Sequence, residues 1–157
     1  MFSGLLGERL LLTLWVGSIF AIGYIAVPMA FVTLGDVTVA GNYAGKLFSV
    51  VNLLGLGCGT ILLISKIVIY GKQVRYLWRF WTVLVMVLLT LIFSCYLQPE
   101  IAAVKELIHQ GNNAVVERFD LLHVVSKNLY MLLSLLGLAI VVSADKQGYE
   151  GQAGADN

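Results

Sequence analysis

Four apolar runs alternate with shorter polar stretches along the chain, at about Leu10 to Leu34, Leu47 to Tyr70, Leu77 to Leu97 and Leu121 to Ser143. Each reaches the roughly 20 residues that a helix needs to cross a bilayer. The pattern predicts an all-α, integral membrane four-helix bundle over residues 1–144. A disordered tail rich in Gly, Ala, Asp and Gln is expected over 145–157. The first run has no small-residue cleavage site followed by a soluble domain, so it reads as a span that is its own insertion signal.

The fourth run breaks its apolar pattern at regular steps. Asp120, His123, Lys127, Tyr130 and Ser134 follow one another at intervals of three and four. At 100° per residue they lie within about 80° of one another and form one polar stripe. An ionisable group inside a membrane helix costs roughly 2.5–3.5 kcal/mol on insertion scales, so the stripe requires partners or water. In the second run Gly41, Gly45, Ser49, Asn52, Gly55 and Gly59 share one side, within about 120°. A smooth side of this kind lets helices touch in lipid. Asn52 on it is expected to hydrogen-bond across a helix interface or to line a wet cavity. Asp36, after Gly35, is the expected N-cap of the second helix.

The ends of the spans carry their own signals. Trp15 reads as an interfacial aromatic, and Pro28 is expected to free the carbonyl of Tyr24, four residues earlier. Beyond the third span Ile101, Val104 and Ile108 keep a helical stripe, Gly111-Asn112-Asn113 signals a turn, and Val115, Val116 and Phe119 resume the pattern. The expectation is a helical hairpin between spans three and four, projecting on the outer side by about eight to twelve residues, or roughly 12–18 Å. Tyr24-Ile-Ala-Val-Pro28 ahead of span two is echoed by Tyr96-Leu-Gln-Pro99 ahead of span four, a weak sign of a two-span repeat.

Charge orients the bundle. The connection between spans two and three holds Lys66, Lys72, Arg75 and Arg79 and no acid. The positive-inside rule puts it, and with it both termini, in the cytoplasm. Lys46, Asn52, Gln98, Glu100, Asp120, His123 and Lys127 then fall in the outer half, and the inner half is nearly apolar. This asymmetry suggests an outward-facing polar pocket above an apolar plug. Composition agrees with a membrane protein: 59% of residues are hydrophobic and 12% charged, about half the charged share of a soluble domain. A net charge of +1 gives no nucleic-acid footprint.

The chemistry available to such a pocket is limited. Asp120, His123 and Glu100 make at most a loose metal-ligand set where zinc needs three or four ligands, so any metal or other cofactor is left unassigned. No phosphate-binding loop, serine-nucleophile or zinc-protease motif is present, and no nucleophile–base pair is legible. An enzyme is therefore not expected. Cys58 and Cys95 lie in apolar runs at different depths and are expected to stay unbridged.

Several of these residues together resemble a known family. Trp15 and Gly17 open span one, Lys46-Leu47-Phe48 opens span two, Gln98-Pro99-Glu100 follows span three, and Phe119, His123 and Ser126 open span four. Over about residues 8 to 143 the chain resembles the small four-helix membrane family of unknown function typified by transmembrane protein 205. The resemblance supports the architecture, marks Pro99, Glu100 and His123, and implies no reaction. The leading expectation is a multi-pass protein of the bacterial cytoplasmic (inner) membrane that binds or transports a small polar solute or metal. Candidate ligand-binding residues are Asp120, His123, Lys127, Gln98, Glu100, Asn52 and Lys46. The alternative is a non-catalytic accessory or assembly subunit, with a membrane-protein partner or a second copy on the small-residue side and the polar stripe.

Overall fold

The structure is a computed structural model that describes residues 2–143; the tail expected over 145–157 lies outside the described residues. Within them the chain is helical nearly throughout. Helix α1 (Phe2–Phe20) passes through a π turn (Ala21–Ala26) into α2 (Val27–Thr33). The 34-residue α3 (Val37–Tyr70) follows, then a 3-10 turn (Gly71–Tyr76) and α4 (Trp78–Ile92). A second π turn (Phe93–Leu97) leads from α4 into α5 (Gln98–His109), and α6 (Val116–Val142) closes the bundle. Four helical stretches are long and apolar enough to cross a membrane: Leu6–Thr33, Val37–Tyr76, Trp78–His109 and Val116–Val142. They pack in cyclic order, the first on the second, the second on the third, the third on the fourth and the fourth on the first. Leu, Ile and Val side chains cover the outside of the bundle, as contact with a bilayer requires.

Local chemistry sets the breaks. Asp36 caps α3 as expected, its carboxylate accepting from the backbone N–H of Thr38 at 2.7 Å and of Val39 at 3.2 Å. Gly111 supplies the left-handed residue that ends α5, with φ +85°. Asn112 then turns the chain by accepting from the Ala114 N–H at 3.1 Å. The hairpin of α5 and α6 has a core of its own, in which Phe93, Leu97, Val104 and Leu122 are buried against Ile101, Ile108 and Phe119.

Both prolines are handled in the same way. A proline in a helix lacks its N–H, and its ring crowds the carbonyl four residues back. The closing bond of each π turn is donated by the residue just before a proline: Val27 N–H bonds the Ile22 carbonyl ahead of Pro28, and Gln98 N–H bonds the Phe93 carbonyl ahead of Pro99. Both bonds span five residues instead of four, so the helix widens where the proline would otherwise break it. Tyr24 and Tyr96 lie inside these two turns. The short sequence echo therefore has a structural counterpart in spans one and three.

The main core overturns one expectation. Trp15 is not interfacial; it is fully buried between helices. Its indole lies on Gly55 and Gly59 of α3, where an added Cβ would come within 2.3 Å of Nε1 and 3.0 Å of Cη2 respectively. The small-residue side of α3 is thus used within the chain, because a bulky ring needs a flat partner to reach the bundle axis. At its other end Gly41 leaves room for Lys105, whose Nζ would lie 2.9 Å from a Cβ there. Cys58 is buried, Cys95 exposed, and both are free.

Candidate functional site

Tyr130 links the core to the polar residues. Its ring seats on Gly23 in the first π turn, where a Cβ would fall 2.2 Å from Cε1. Its hydroxyl donates to the Ile19 carbonyl at 2.6 Å. Around it Phe48 stands edge-on at 5.0 Å, with Phe93 and Tyr24 both at 6.3 Å between ring centroids. Rings from all four spans meet here. The lower part of the expected stripe is therefore structural: Tyr130 and Ser134 are buried, and the Ser134 hydroxyl is returned to the Tyr130 carbonyl at 2.8 Å.

Above this aromatic floor, toward the hairpin, polar groups from three helices converge. Gln98 Nε2 donates to the Gly45 carbonyl at 3.1 Å, and its Oε1 accepts from Ser49 Oγ at 3.4 Å. Lys105 of α5 donates from Nζ to Asn42 Oδ1 of α3 at 3.1 Å. Lys46, exposed, follows Asn42 by four residues and precedes Ser49 by three, which puts it on the same face of α3. On α6 the imidazole of His123 stacks on Phe119 with centroids 6.1 Å apart, and it feels the charges of Lys127, Asp120 and Lys105. Asp120, His123 and Lys127 are exposed. Lys105, Lys127 and Asp120 all lie within charge range of His123, whereas Glu100 is engaged in an ion pair with Arg118.

The seven sequence candidates are thus divided. Gln98 joins α5 to α3, Lys46 is exposed on α3, and Asp120, His123 and Lys127 are exposed on α6. Glu100 ties the two arms of the hairpin together instead of entering the site. Asn52 is only 2% exposed and sits one turn below Ser49; neither its Nδ2 nor Trp15 Nε1 has a protein partner among the described residues. Asn52 therefore belongs to the core. Among the described residues no three His, Cys, Asp or Glu side chains come together as a metal set, so Asp120, His123 and Glu100 do not form one. The residue that sequence reading passed over is Lys105. Its signal was Gly41, which makes room for the ammonium group.

At the opposite end the bundle is not apolar, contrary to expectation. Glu8 of α1 takes Lys66 of α3 at 2.9 Å and Arg79 of α4 at 3.3 Å. Arg79 also donates from Nη1 to the Ser143 carbonyl at the end of α6, 2.8 Å away. Lys66 is 5% exposed. One carboxylate and two cations thus join all four spans, since a buried charge is tolerated only with its partner in place.

No curated protein and no solved structure matches the chain. A family profile described as a domain of unknown function, DUF4149, matches residues 10–110. The match runs from span one into the first arm of the hairpin and ends before α6, so the Phe119, His123 and Ser126 opening lies outside it, and nothing ties the chain to transmembrane protein 205 specifically. The chain belongs to the DUF4149 family of domains of unknown function.

Proposed function

We propose that this chain is a non-catalytic membrane protein that binds a small anionic solute at the hairpin end of the bundle. The observation that carries the reading is the placement of Lys105. It crosses from the hairpin to donate to Asn42 of α3, and it joins Lys127 and Asp120 among the charges that act on His123. Lys105 and Lys127 against Asp120 leave an excess of positive charge around His123, Lys46 is exposed on the same face of α3 as Asn42, and Gln98, Ser49 and Asn42 add neutral hydrogen-bonding groups. A site of this composition attracts carboxylates, phosphate or sulfate. The aromatic floor of Phe48, Phe93 and Tyr130 favours a binding site over a continuous channel.

The basic turn between α3 and α4 supports an orientation with that turn and both termini in the cytoplasm, which makes the anion site outward-facing in a bacterial inner membrane. A reporter enzyme active only outside the cytoplasm is expected to give signal when fused at Asn112 and none at Gln73. The opposite pattern reverses the orientation.

One observation favours a second reading. Asp120, His123 and Lys127 are exposed on the described chain, and a partner helix would shield them from lipid. In that case the protein is an accessory or assembly subunit, or a homo-oligomer. Purification in mild detergent separates the two. A lone protein whose melting temperature rises with millimolar phosphate, sulfate or citrate supports the anion site. A stoichiometric partner that stays bound, with no response to these anions, supports the accessory reading.

A further inference from the structure

The end of the bundle away from the proposed anion site has a feature that neither reading uses. The end of α3, the 3-10 turn Gly71–Tyr76 and Leu77 border an open crevice of about 370 Å³ lined by Tyr70, Gln73, Tyr76 and Leu77. The turn is held in shape. Gly71 takes the positive φ of +50°, the Leu77 N–H returns to the Val74 carbonyl at 3.1 Å, and the Trp81 indole donates to the Arg75 carbonyl at 2.9 Å. The Arg75 guanidinium lies 5.0 Å over the ring of Tyr76, a residue that lines the crevice, and Lys72 is exposed beside Gln73.

The surroundings point to one kind of occupant. Between Asp36 and Glu100 the sequence contains no acid at all, and among the described residues neither Lys72 nor Arg75 has a carboxylate partner. Trp78 and Trp81, both about half exposed, follow directly at the end of a span. Exposed tryptophan and tyrosine at a span end mark headgroup depth. A crevice at that depth, lined by tyrosine and glutamine, with a guanidinium over one of its rings and an ammonium on the residue before Gln73, has the chemistry to hold a phosphate diester that carries net negative charge. From this geometry we infer that the crevice is a binding site for the headgroup of an anionic phospholipid. Arg75 and Lys72 take the phosphate, and Gln73 with Tyr70 and Tyr76 takes the polar remainder of the headgroup.

Native mass spectrometry of the full chain, released from detergent containing phosphatidylglycerol and phosphatidylcholine at equal concentration, tests this. The wild-type protein is expected to retain phosphatidylglycerol in preference. A juxtamembrane basic residue is worth about a five-fold change in affinity, so K72Q and R75Q should each weaken retention by about that factor. Removing basic residues also weakens the positive-inside signal, so a second variant keeps both charges. In Y70F/Q73L the crevice loses two of its three polar side-chain groups, and the preference for phosphatidylglycerol should fall several-fold while total lipid carried stays the same. Unchanged preference in Y70F/Q73L, with loss only in the charge variants, would mean diffuse attraction to any anionic surface and would overturn the site. Displacement of the lipid by millimolar inorganic phosphate would overturn the lipid as occupant in favour of a free anion. Equal retention of both lipids by the wild type would overturn the inference outright.

Discussion

Gly55 and Gly57 sit two residues apart on α3 and should respond to the same substitution in opposite directions. A methyl group on Gly55 would lie 2.3 Å from Trp15 Nε1, 2.9 Å from Cε2 and 3.0 Å from Cδ1. Carbon–carbon contact wants about 3.5–4.0 Å, so the ring or α3 must move by roughly 1 Å. Trp15 is fully buried, and a planar indole has no flexible end to swing aside. Overpacking of this kind costs about 1–3 kcal/mol. The gain in helix propensity from Gly to Ala, about 0.5–1 kcal/mol, offsets part of it. Gly57 has nothing within 4 Å of the corresponding position, so G57A keeps the propensity gain and meets no neighbour. The propensity gain cancels between the variants, so the expected difference is about 1–3 kcal/mol, with G55A the less stable. Thermal unfolding in one detergent, followed by circular dichroism, measures it. Trp15 emission in a W78F/W81F background, which leaves one of the three tryptophans, reports whether the ring has moved. If G55A melts at or above G57A with unchanged emission, Trp15 does not lie on Gly55 and the packing described for spans one and two is wrong.

Three further substitutions test other parts of the frame by the same melting experiment. Y130F removes only the hydroxyl that reaches the Ile19 carbonyl and should cost about 0.5–1.5 kcal/mol, whereas Y130A also empties the centre of the aromatic cluster and should cost about 3–5 kcal/mol. E8Q leaves Lys66 and Arg79 without their shared carboxylate at the other end of the bundle and should lower the melting temperature more than any single neutral change at an exposed position, in keeping with the roughly 3–5 kcal/mol of a broken buried pair as an upper bound. D36A deletes the cap of α3 and should cost about 1 kcal/mol, which D36N should largely restore.

Much of the frame was legible because it rests on local rules. Span lengths follow from apolar runs, the start of α3 from Asp36 and the end of α5 from Gly111 and Asn112. What sequence could not supply was the pairing of distant residues. Trp15 looks interfacial by its distance from the end of its run. Only the bare backbone at Gly55 and Gly59, forty and more residues away, turns it into a core residue. Glu8 reads as a charge ahead of the first span, and its role appears only once Lys66 and Arg79 arrive from two other helices. The same applies to the site. His123 and Lys127 stand out because charge is rare in a span, whereas Lys105 looks like an ordinary surface lysine until Gly41 and Asn42 are placed opposite it. The π turns were half visible: proline announces a freed carbonyl, but not that the helix will continue by widening.

The most direct test of the anion site is a titration of the purified protein in mild detergent with phosphate, sulfate and citrate, followed by isothermal calorimetry, for the wild type and for K105Q and H123Q. Saturable binding of at least one of these anions to the wild type is expected. Binding should be about ten-fold weaker in K105Q and lost in H123Q, with melting temperatures in anion-free buffer close to wild type for both variants. Anion binding that survives both substitutions, or variants that lose stability while binding stays intact, would contradict the anion site.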